Sequence, residues 1–257
     1  MNPPFTVATW NVLHRVHAEN WAELVPERHP DERARIAAIT ARILDLQPSL
    51  ALLALQEVSG DLLAALRAAL PPGVALHAFR YPRVPRPRSD HLATLADPAE
   101  HLALLVAAHL PSRLVDAAAF ADDPGKGYLA VDVAGLLAIA THVTHGARRT
   151  GQLARIAHLA RAHAGPHLLL GDFNADRDAV AADLGHDHRF ALLPPGALPT
   201  RPRPDGDRSK AQDIDHIILG GPSTPVTATV LDDLGLSDHN LVLAHLPDLA
   251  RAQRGPT

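Results

Sequence analysis

The chain has no cysteine, which excludes disulfide bonds, thiolate nucleophiles and zinc sites built on cysteine. Lysine is nearly absent: Lys126 and Lys210 are the only two, so arginine supplies the rest of the basic side chains. Arginine is the better bidentate ligand for phosphate.

No apolar run approaches the ~20 residues of a membrane-spanning helix. The N-terminus lacks the basic start and apolar stretch of a secretory signal. We therefore expect a cytoplasmic protein without a membrane span.

Composition allows a sizeable core, because the 257 residues are 47% hydrophobic and 20% charged. The formal net charge of -4 argues against a strongly basic nucleic-acid coat protein, although local fields can differ from the total. No internal repeat, low-complexity tail or linker divides the chain. We expect a single domain over residues 1–257, with its core at about residues 5–247, and a monomer.

Short apolar runs alternate with helical patterns along the chain. Continuous apolar runs predict buried strands, and they lie at residues 5–8, 50–55, 101–108, 128–133, 136–141, 167–170, 214–219, 226–230 and 241–246. Apolar residues at helical spacing predict helices, which lie at residues 31–46, 59–70 and 148–163. Asp31 and Ser59 are good N-caps, and Gly135 indicates a hairpin. Strands with helices inserted between them predict a layered α/β protein with two stacked sheets.

Short polar segments stand next to four of the predicted strands. They are Thr9-Trp10-Asn11, Leu55-Gln56-Glu57, Gly171-Asp172-Phe173-Asn174 and Ser237-Asp238-His239. A strand end is held rigidly and reaches solvent, so functional groups are often placed there. The set is rich in oxygen donors and has one imidazole. It therefore suits a hard cation such as Mg²⁺ and phosphoryl transfer.

Six motifs in a fixed order resemble the endonuclease/exonuclease/phosphatase family, the relatives of DNase I and exonuclease III-type enzymes. They are Thr-Trp-Asn11, Leu-Gln-Glu57, Thr-His142, Gly-Asp172-Phe-Asn174, Ile-Asp215-His and Ser-Asp238-His239. One tripeptide is weak evidence, but the whole set in family order is specific, and it spans residues 6–246. The resemblance implies a DNase I-like α/β fold, a four-layer sandwich with two central mixed β-sheets flanked by helices. It also implies Mg²⁺ or Mn²⁺ in the cleft between the sheets.

The resemblance implies three residues at the metal. Glu57 would be the principal ligand, Asn11 would orient Glu57 or touch the water shell of the ion, and Asp238 would lie at the ion or at a second ion. Taken alone, Glu57 is typical of a charge near a helix N-terminus. Asn11 alone is typical of a turn.

The resemblance also assigns the catalytic residues. Asp172 would position or deprotonate the attacking water, and Asn174 would hold the scissile phosphate. Their side chains share one face if the strand continues through Phe173. The alternative is an Asx turn. His142 would bind phosphate or protonate the leaving group, with a capping or core role equally open.

Asp215 and His239 form the last implied pair. Asp215 would accept a hydrogen bond from His239, which raises the pKa of the imidazole and fixes its tautomer. His239 would then either stabilise the pentacovalent phosphate as a cation or accept the proton of the water. The remaining histidines form no convincing zinc set.

A basic loop at residues 80–90 carries Arg80, Arg83, Arg86 and Arg88 among prolines, so we expect it to be extended and exposed. These arginines would track phosphates of a polynucleotide, or would form a solvated loop without a partner.

We predict a Mg²⁺-dependent phosphoesterase that hydrolyses phosphodiester bonds by metal-assisted attack of water, in the first place a nuclease. The close alternative is a small-molecule or lipid phosphatase or phosphodiesterase, favoured by the acidic net charge. A non-catalytic binding module is the weaker alternative. Residues 104–113 match the family only loosely, so the substrate-contacting middle of the fold stays open.

Overall fold

The computed structural model describes residues 5–88, 95–185, 188–202, 211–220 and 226–246. Its strands and helices follow in the order β1 (Thr6–Asn11), α1 (Arg15–Asn20), α2 (Val25–Arg28), α3 (Glu32–Leu46), a 3₁₀ turn (Gln47–Ser49), β2 (Leu52–Ser59), α4 (Gly60–Ala69), β3 (Ala75–Arg80), β4 (Glu100–Val106), β5 (Ser112–Phe120), β6 (Asp123–Val133), β7 (Leu136–His142), α5 (Arg148–Ala162), β8 (His167–Asp172), α6 (Arg177–Leu184), β9 (His188–Phe190), β10 (Asp215–Gly220), β11 (Ala228–Leu231) and β12 (Leu241–His245).

The strands form two sheets of six strands each. Sheet one has the order β11-β12-β1-β2-β4-β3, and sheet two has the order β5-β6-β7-β8-β10-β9. Both sheets are mixed, because β1 runs parallel to β2 and β7 runs parallel to β8, whereas the other pairs are antiparallel. The two sheets therefore repeat one pattern, a central parallel pair with antiparallel neighbours.

The main core lies between the sheets. Val7, Leu52 and Leu104 of sheet one share a buried apolar cluster with Leu129 and Leu168 of sheet two. A second cluster joins the outer face of sheet one to α3 and α4, and a third joins the outer face of sheet two to α5 and α6. Helix, sheet, sheet and helix make four layers, so the predicted four-layer α/β sandwich is confirmed.

Local signals in the sequence account for the long helices and for one hairpin. The Asp31 side chain accepts hydrogen bonds from the backbone N–H groups of Arg33 and Ala34 at the start of α3. The Ser59 hydroxyl accepts one from Leu62 at the start of α4. Between β6 and β7, Ala134 and Gly135 both have positive φ angles, 52° and 87°. These three predictions are confirmed.

Six elements are not predicted by the sequence: α1, α2, α6, β3, β5 and β9. Helix α1 spans only six residues, which are too few to show the helical period of apolar residues. Strand β5 is a half-exposed edge strand, with Leu114 and Val115 more than 40% exposed. Because Asp116 interrupts the apolar residues of β5, the sequence does not predict this strand or its start within residues 104–113. They contain the end of β4 and the start of β5.

Several expectations remain predictions. The prediction of an irregular loop over residues 80–90 is wrong for Arg80, which ends strand β3, whereas residues 81–88 contain no helix or strand and residues 89–90 lie outside the described residues. No helix in the described ranges is long and apolar enough to cross a membrane. The single domain, the monomeric state and the cytoplasmic location stay predictions.

Candidate active site

The predicted site residues collect at one edge of the sandwich, which we call the site edge. Asn11 ends β1, and His142 and Asp172 end the parallel strands β7 and β8, where they lie side by side. Strand β10 runs antiparallel to β8, so its first residue, Asp215, lies opposite Asp172. His239 lies just before β12, which runs antiparallel to β1. The topology therefore brings residues from distant parts of the chain together.

Glu57 lies inside strand β2, and the prediction that it follows the strand is wrong. The register of β2 against β4 shifts between Leu55 and Val58, and Glu57 sits in this bulge with a φ angle of 59°. A left-handed backbone at a residue other than glycine costs about 1–3 kcal/mol and is often found at functional sites. The bulge turns the carboxylate toward the site edge, where it accepts hydrogen bonds from Asn11 Nδ2 at 3.2 Å and the His14 backbone N–H at 3.0 Å.

Burial acts to raise the pKa of Glu57, but the charges of His17, Lys126 and His142 and the hydrogen bond from His14 outweigh it. The pKa of Glu57 is therefore held well below its usual range, and the group is a carboxylate at neutral pH. His17 itself forms a 2.9 Å contact with Glu100 at the start of β4. A layer of polar groups thus backs Glu57.

The Asp172 side chain contacts residues of both sheets. Its Oδ2 atom lies 3.1 Å from Asn11 Nδ2 of sheet one and 3.3 Å from His142 Nε2 of sheet two. Burial acts to raise the pKa of Asp172, but the hydrogen bond from His142 and nearby positive charges hold it well below its usual range. Gly171 is required here, since a Cβ atom would collide with the Thr141 carbonyl oxygen.

Asn174 does not share a strand face with Asp172, so that expectation is wrong. Strand β8 ends at Asp172, and Asn174 has a φ angle of 49°. Its backbone N–H donates to Asp172 Oδ1 at 2.8 Å, which is the Asx turn given as the alternative. Its Nδ2 atom donates to the Val143 carbonyl at 2.9 Å. The turn fixes both side chains at the site edge.

The Asp215–His239 pair is present. Asp215 Oδ2 and His239 Nδ1 are 2.8 Å apart, and both residues are buried. Burial acts to lower the pKa of His239, but the charges of Asp215 and Asp238 and the bond to Asp215 raise it to about 10. His239 is therefore an imidazolium at neutral pH. Its Nε2 atom lies 3.9 Å from Asp172 Oδ2.

Sequence reasoning missed two basic residues at the site. Lys126 Nζ contacts the His142 ring, and Arg201 binds Asp238 Oδ2 through Nε at 3.1 Å and Nη2 at 2.9 Å. Lys126 could have been noticed because lysine is so rare in this chain. Arg201 carried no such signal, since it lies in a loop with many arginines and prolines.

A further arginine ties the loops of the site edge to the scaffold. Arg35 of α3 is buried and donates to the backbone carbonyls of Val12, Leu13 and Leu236 at 2.7–3.0 Å. Two more bonds join it to Glu32. Arg35 thus connects the loop after β1 to the loop before His239.

The carboxylates of the site edge fit a hard divalent cation. Glu57 and Asp172 are ionised and share the Asn11 amide, and Asp238 Oδ1 is buried without a hydrogen-bond partner among the described residues. Asn11 Oδ1 instead accepts from the Leu13 backbone N–H, so Asn11 turns its N–H groups toward the carboxylates. In this arrangement Asn11 orients Glu57. Among the described residues, Asp172, Asp215 and His239 are the one set of three that offers ligand atoms within 4.8 Å of one another, and the last two bind each other.

The four arginines of the basic loop differ in their surroundings. Arg83 forms a 3.0 Å ion pair with Asp123, and the guanidinium of Arg88 lies 4.6 Å from the ring centre of Trp21. Arg80 and Arg86 are exposed. The expectation that all four face solvent unpaired therefore does not hold for Arg83.

The sequence profile of the Endonuclease/Exonuclease/phosphatase family matches residues 8–239. The chain belongs to this family. Members of the family are phosphoesterases, which supports a hydrolase of phosphate esters. No curated protein sequence matches the chain.

Solved structures of the same fold cover nearly the whole chain. An endonuclease/exonuclease/phosphatase protein from Bacteroides vulgatus has 18% identity and a TM-score of 0.67 over 95% of this chain and 99% of its own. A mannosyl-6-phosphatase from Bacteroides thetaiotaomicron has 17% identity and a TM-score of 0.64 over 94% and 99%. D. rerio TDP2 in complex with a single-strand DNA product has 15% identity and a TM-score of 0.63 over 95% and 98%. At these identities the likeness establishes the fold.

Proposed function

We propose that the protein is a Mg²⁺- or Mn²⁺-dependent phosphodiesterase that uses an attacking water, and that its substrate is a nucleic acid. The observation that carries this proposal is the contact between the sheets at the site edge. Asn11 holds Glu57 and Asp172 together, and the Asp215–His239 ion pair lies beside them. A binding module would have no use for an ionised Asp172 next to an oriented imidazolium.

Glu57 would hold the ion, with Asp172 and Asp238 Oδ1, which has no hydrogen-bond partner among the described residues, as further ligands. When bound, the ion would neutralise charge on the phosphate oxygens and lower the pKa of a bound water. Asn11 keeps the carboxylates of Glu57 and Asp172 close together, where their mutual repulsion favours a cation.

The side chains of this chain then have separate tasks. Asp172 is ionised and buried, so it can accept a hydrogen bond from the attacking water. His239 is cationic and held in place by Asp215, so we assign it to charge stabilisation on the phosphate rather than to the role of base. Lys126 and Arg201 supply further positive charge for the phosphate oxygens, and Asn174 and His142 line its binding site.

Hydrolysis of bis(4-nitrophenyl) phosphate tests the enzymatic proposal. We expect turnover that is abolished by a chelator and restored by Mg²⁺ or Mn²⁺, because the ligands are oxygen atoms. The matched pair of variants is Asp172→Asn and Asp178→Asn, since Asp178 is 87% exposed and lies on α6. Only Asp172→Asn should lose activity. Full activity in excess chelator would remove the metal from the proposal.

The nucleic-acid substrate is supported by the basic loop and by the likeness to D. rerio TDP2, which was solved with single-strand DNA. Arg80 and Arg86 test it, because Arg83 has a structural ion pair and would disturb Asp123. The variant with both changed to Ser should bind single-stranded DNA with a log–log salt slope smaller by about 0.7 for each phosphate that the loop no longer neutralises.

The control is Arg113→Ser. Arg113 is 74% exposed and lies at the start of β5, opposite Asp132 of β6, at the end of sheet two away from His142. An unchanged salt slope in the double variant would show that the loop does not contact the substrate.

A small phosphorylated sugar is the second candidate substrate. A cavity of about 270 Å³ adjoins Asp238. Its polar lining includes Glu23, Asp232 and Asn240, whose oxygens can accept hydrogen bonds from hydroxyl groups. The likeness to the mannosyl-6-phosphatase agrees with it. Phosphate release from hexose 6-phosphates at a higher kcat/KM than from DNA would favour this candidate.

A further inference from the structure

We propose that Trp21 and Arg88 form a base-stacking subsite, so that the substrate carries a nucleobase close to the scissile phosphate. The inference rests on the proposed phosphodiesterase function and names a recognition element for the same site. Trp21 is 67% exposed, the largest exposed fraction among the large hydrophobic side chains of the described residues. A tryptophan exposed to this degree has no role in the core.

The two faces of the Trp21 ring are not equivalent. The guanidinium of Arg88 lies over the ring at 4.6 Å from its centre, a cation–π contact. The high exposure of the residue leaves ring surface open to solvent. Proteins that bind single-stranded nucleic acids combine aromatic platforms for bases with positive groups for phosphates. Trp21 and the neighbouring loop arginines have this composition.

The contact with Trp21 is not needed to hold the basic loop. Asn20 already anchors the loop through its side chain, which donates to the Arg86 carbonyl at 3.0 Å and accepts from the Arg88 backbone N–H at 2.9 Å. The Arg88 guanidinium also reaches the Asn20 carbonyl at 3.4 Å. Since these bonds fix the loop, the exposed ring of Trp21 is free to serve a ligand.

Helix α1 places the ring near the scissile phosphate. At the start of this helix, the His14 backbone N–H binds Glu57, and within the helix His17 contacts Glu100. Trp21 follows the last residue of α1 and caps it. With a rise of 1.5 Å per residue, Trp21 lies about 10 Å from His14 along the helix. This separation suits the base of a nucleotide whose phosphate lies at Glu57 and Asp172.

Two substrates with the same leaving group test the subsite: thymidine 5′-(4-nitrophenyl) phosphate, which has a base, and methyl 4-nitrophenyl phosphate, which has none. Stacking on an aromatic side chain should favour the thymidine ester by roughly 5- to 150-fold in kcat/KM. This ratio should collapse in Trp21→Ala and be largely kept in Trp21→Phe. The control variant Leu114→Ala, at a 52% exposed position on β5, should keep the ratio of the wild type.

Fluorescence gives a readout that does not depend on turnover. The chain has only two tryptophans, and Trp10 is 1% exposed, so iodide quenching reports on Trp21. A thymidine oligonucleotide should shield Trp21 from iodide, whereas an abasic oligonucleotide with the same number of phosphates should not.

The outcomes separate the two proposals. If methyl 4-nitrophenyl phosphate is hydrolysed and Trp21→Ala keeps the substrate ratio of the wild type, the subsite is refuted and the phosphodiesterase stands. If neither ester is hydrolysed under any metal condition, the phosphodiesterase fails, and the iodide experiment alone decides the stacking. Equal shielding by the two oligonucleotides, or none by either, would overturn the subsite.

Discussion

Replacing Asp215 by Asn is the sharpest test of how His239 works. The variant keeps the size of the side chain and removes the charge 2.8 Å from the imidazole. The rise in the pKa of His239 from 6.5 to about 10 corresponds to roughly 5 kcal/mol in favour of the cation. Asp215 is the largest of the groups that raise it. Without its charge, burial should bring the pKa of His239 down toward neutrality.

The expected result is a change in the pH dependence of kcat. In the wild type, activity should decline on the alkaline side only as pH approaches 10, where His239 loses its proton. In Asp215→Asn this decline should move toward neutral pH, and kcat at pH 8 should fall by ~10²–10³. Asp178→Asn is again the control. An unshifted alkaline limb, or a wild-type activity that rises up to pH 10, would refute the role of His239 as a cation.

The Asp215–His239 pair also makes the stability of the native state depend on pH. Because folding raises the pKa of His239, the pair stabilises the native state fully below about pH 6.5, and this contribution is lost as pH rises to about 10. The difference in unfolding free energy between wild type and Asp215→Asn should therefore shrink between pH 6.5 and 10. Urea unfolding across this range measures it.

Three other predictions follow from single side chains. Glu57→Gln should raise the Mg²⁺ concentration for half-maximal rate by at least ~10-fold, because the ion loses a charged ligand; an unchanged metal titration would exclude Glu57 as a ligand. Lys126→Gln should lower kcat/KM by ~10–100-fold, since a charged hydrogen bond is worth about 1.5–3 kcal/mol; steady-state kinetics would contradict this if the loss stayed below twofold. Arg35→Met should lower the free energy of unfolding by about 3 kcal/mol or more in urea, because it leaves buried carbonyls, including those of Val12 and Leu236, without a donor; a stability equal to the wild type would show that water replaces the guanidinium.

The sequence predicts this fold where the signal is local. The caps Asp31 and Ser59 and the turn at Gly135 act within a few residues, and each forms as expected. The order of the strands is not local: β12 pairs with β1 at the opposite end of the chain, with His245 opposite Thr6. Only the family resemblance could supply that order.

The site residues also divide into those that a local pattern predicts and those that it does not. The motifs located Asn11, Asp172 and His239, because their positions are tied to strand ends. The bulge at Glu57 and the turn at Asn174 were missed, because a positive φ angle leaves no pattern in the residue types. Lys126 was missed for another reason: it reaches His142 from the neighbouring strand, through a pairing that the sequence does not specify.

The position of β12 has a consequence for how the enzyme becomes active in a cell. This strand lies between β1 and β11, and Asp238 and His239 immediately precede it. A ribosome makes β1 first and β12 last of all the described strands, so β1 has no partner on that side until β12 has been made. Pairing over so long a stretch of chain is also slow. A growing or interrupted chain therefore lacks both His239 and half of the pairing of β1, and under the proposed function it would stay inactive until β12 is in place.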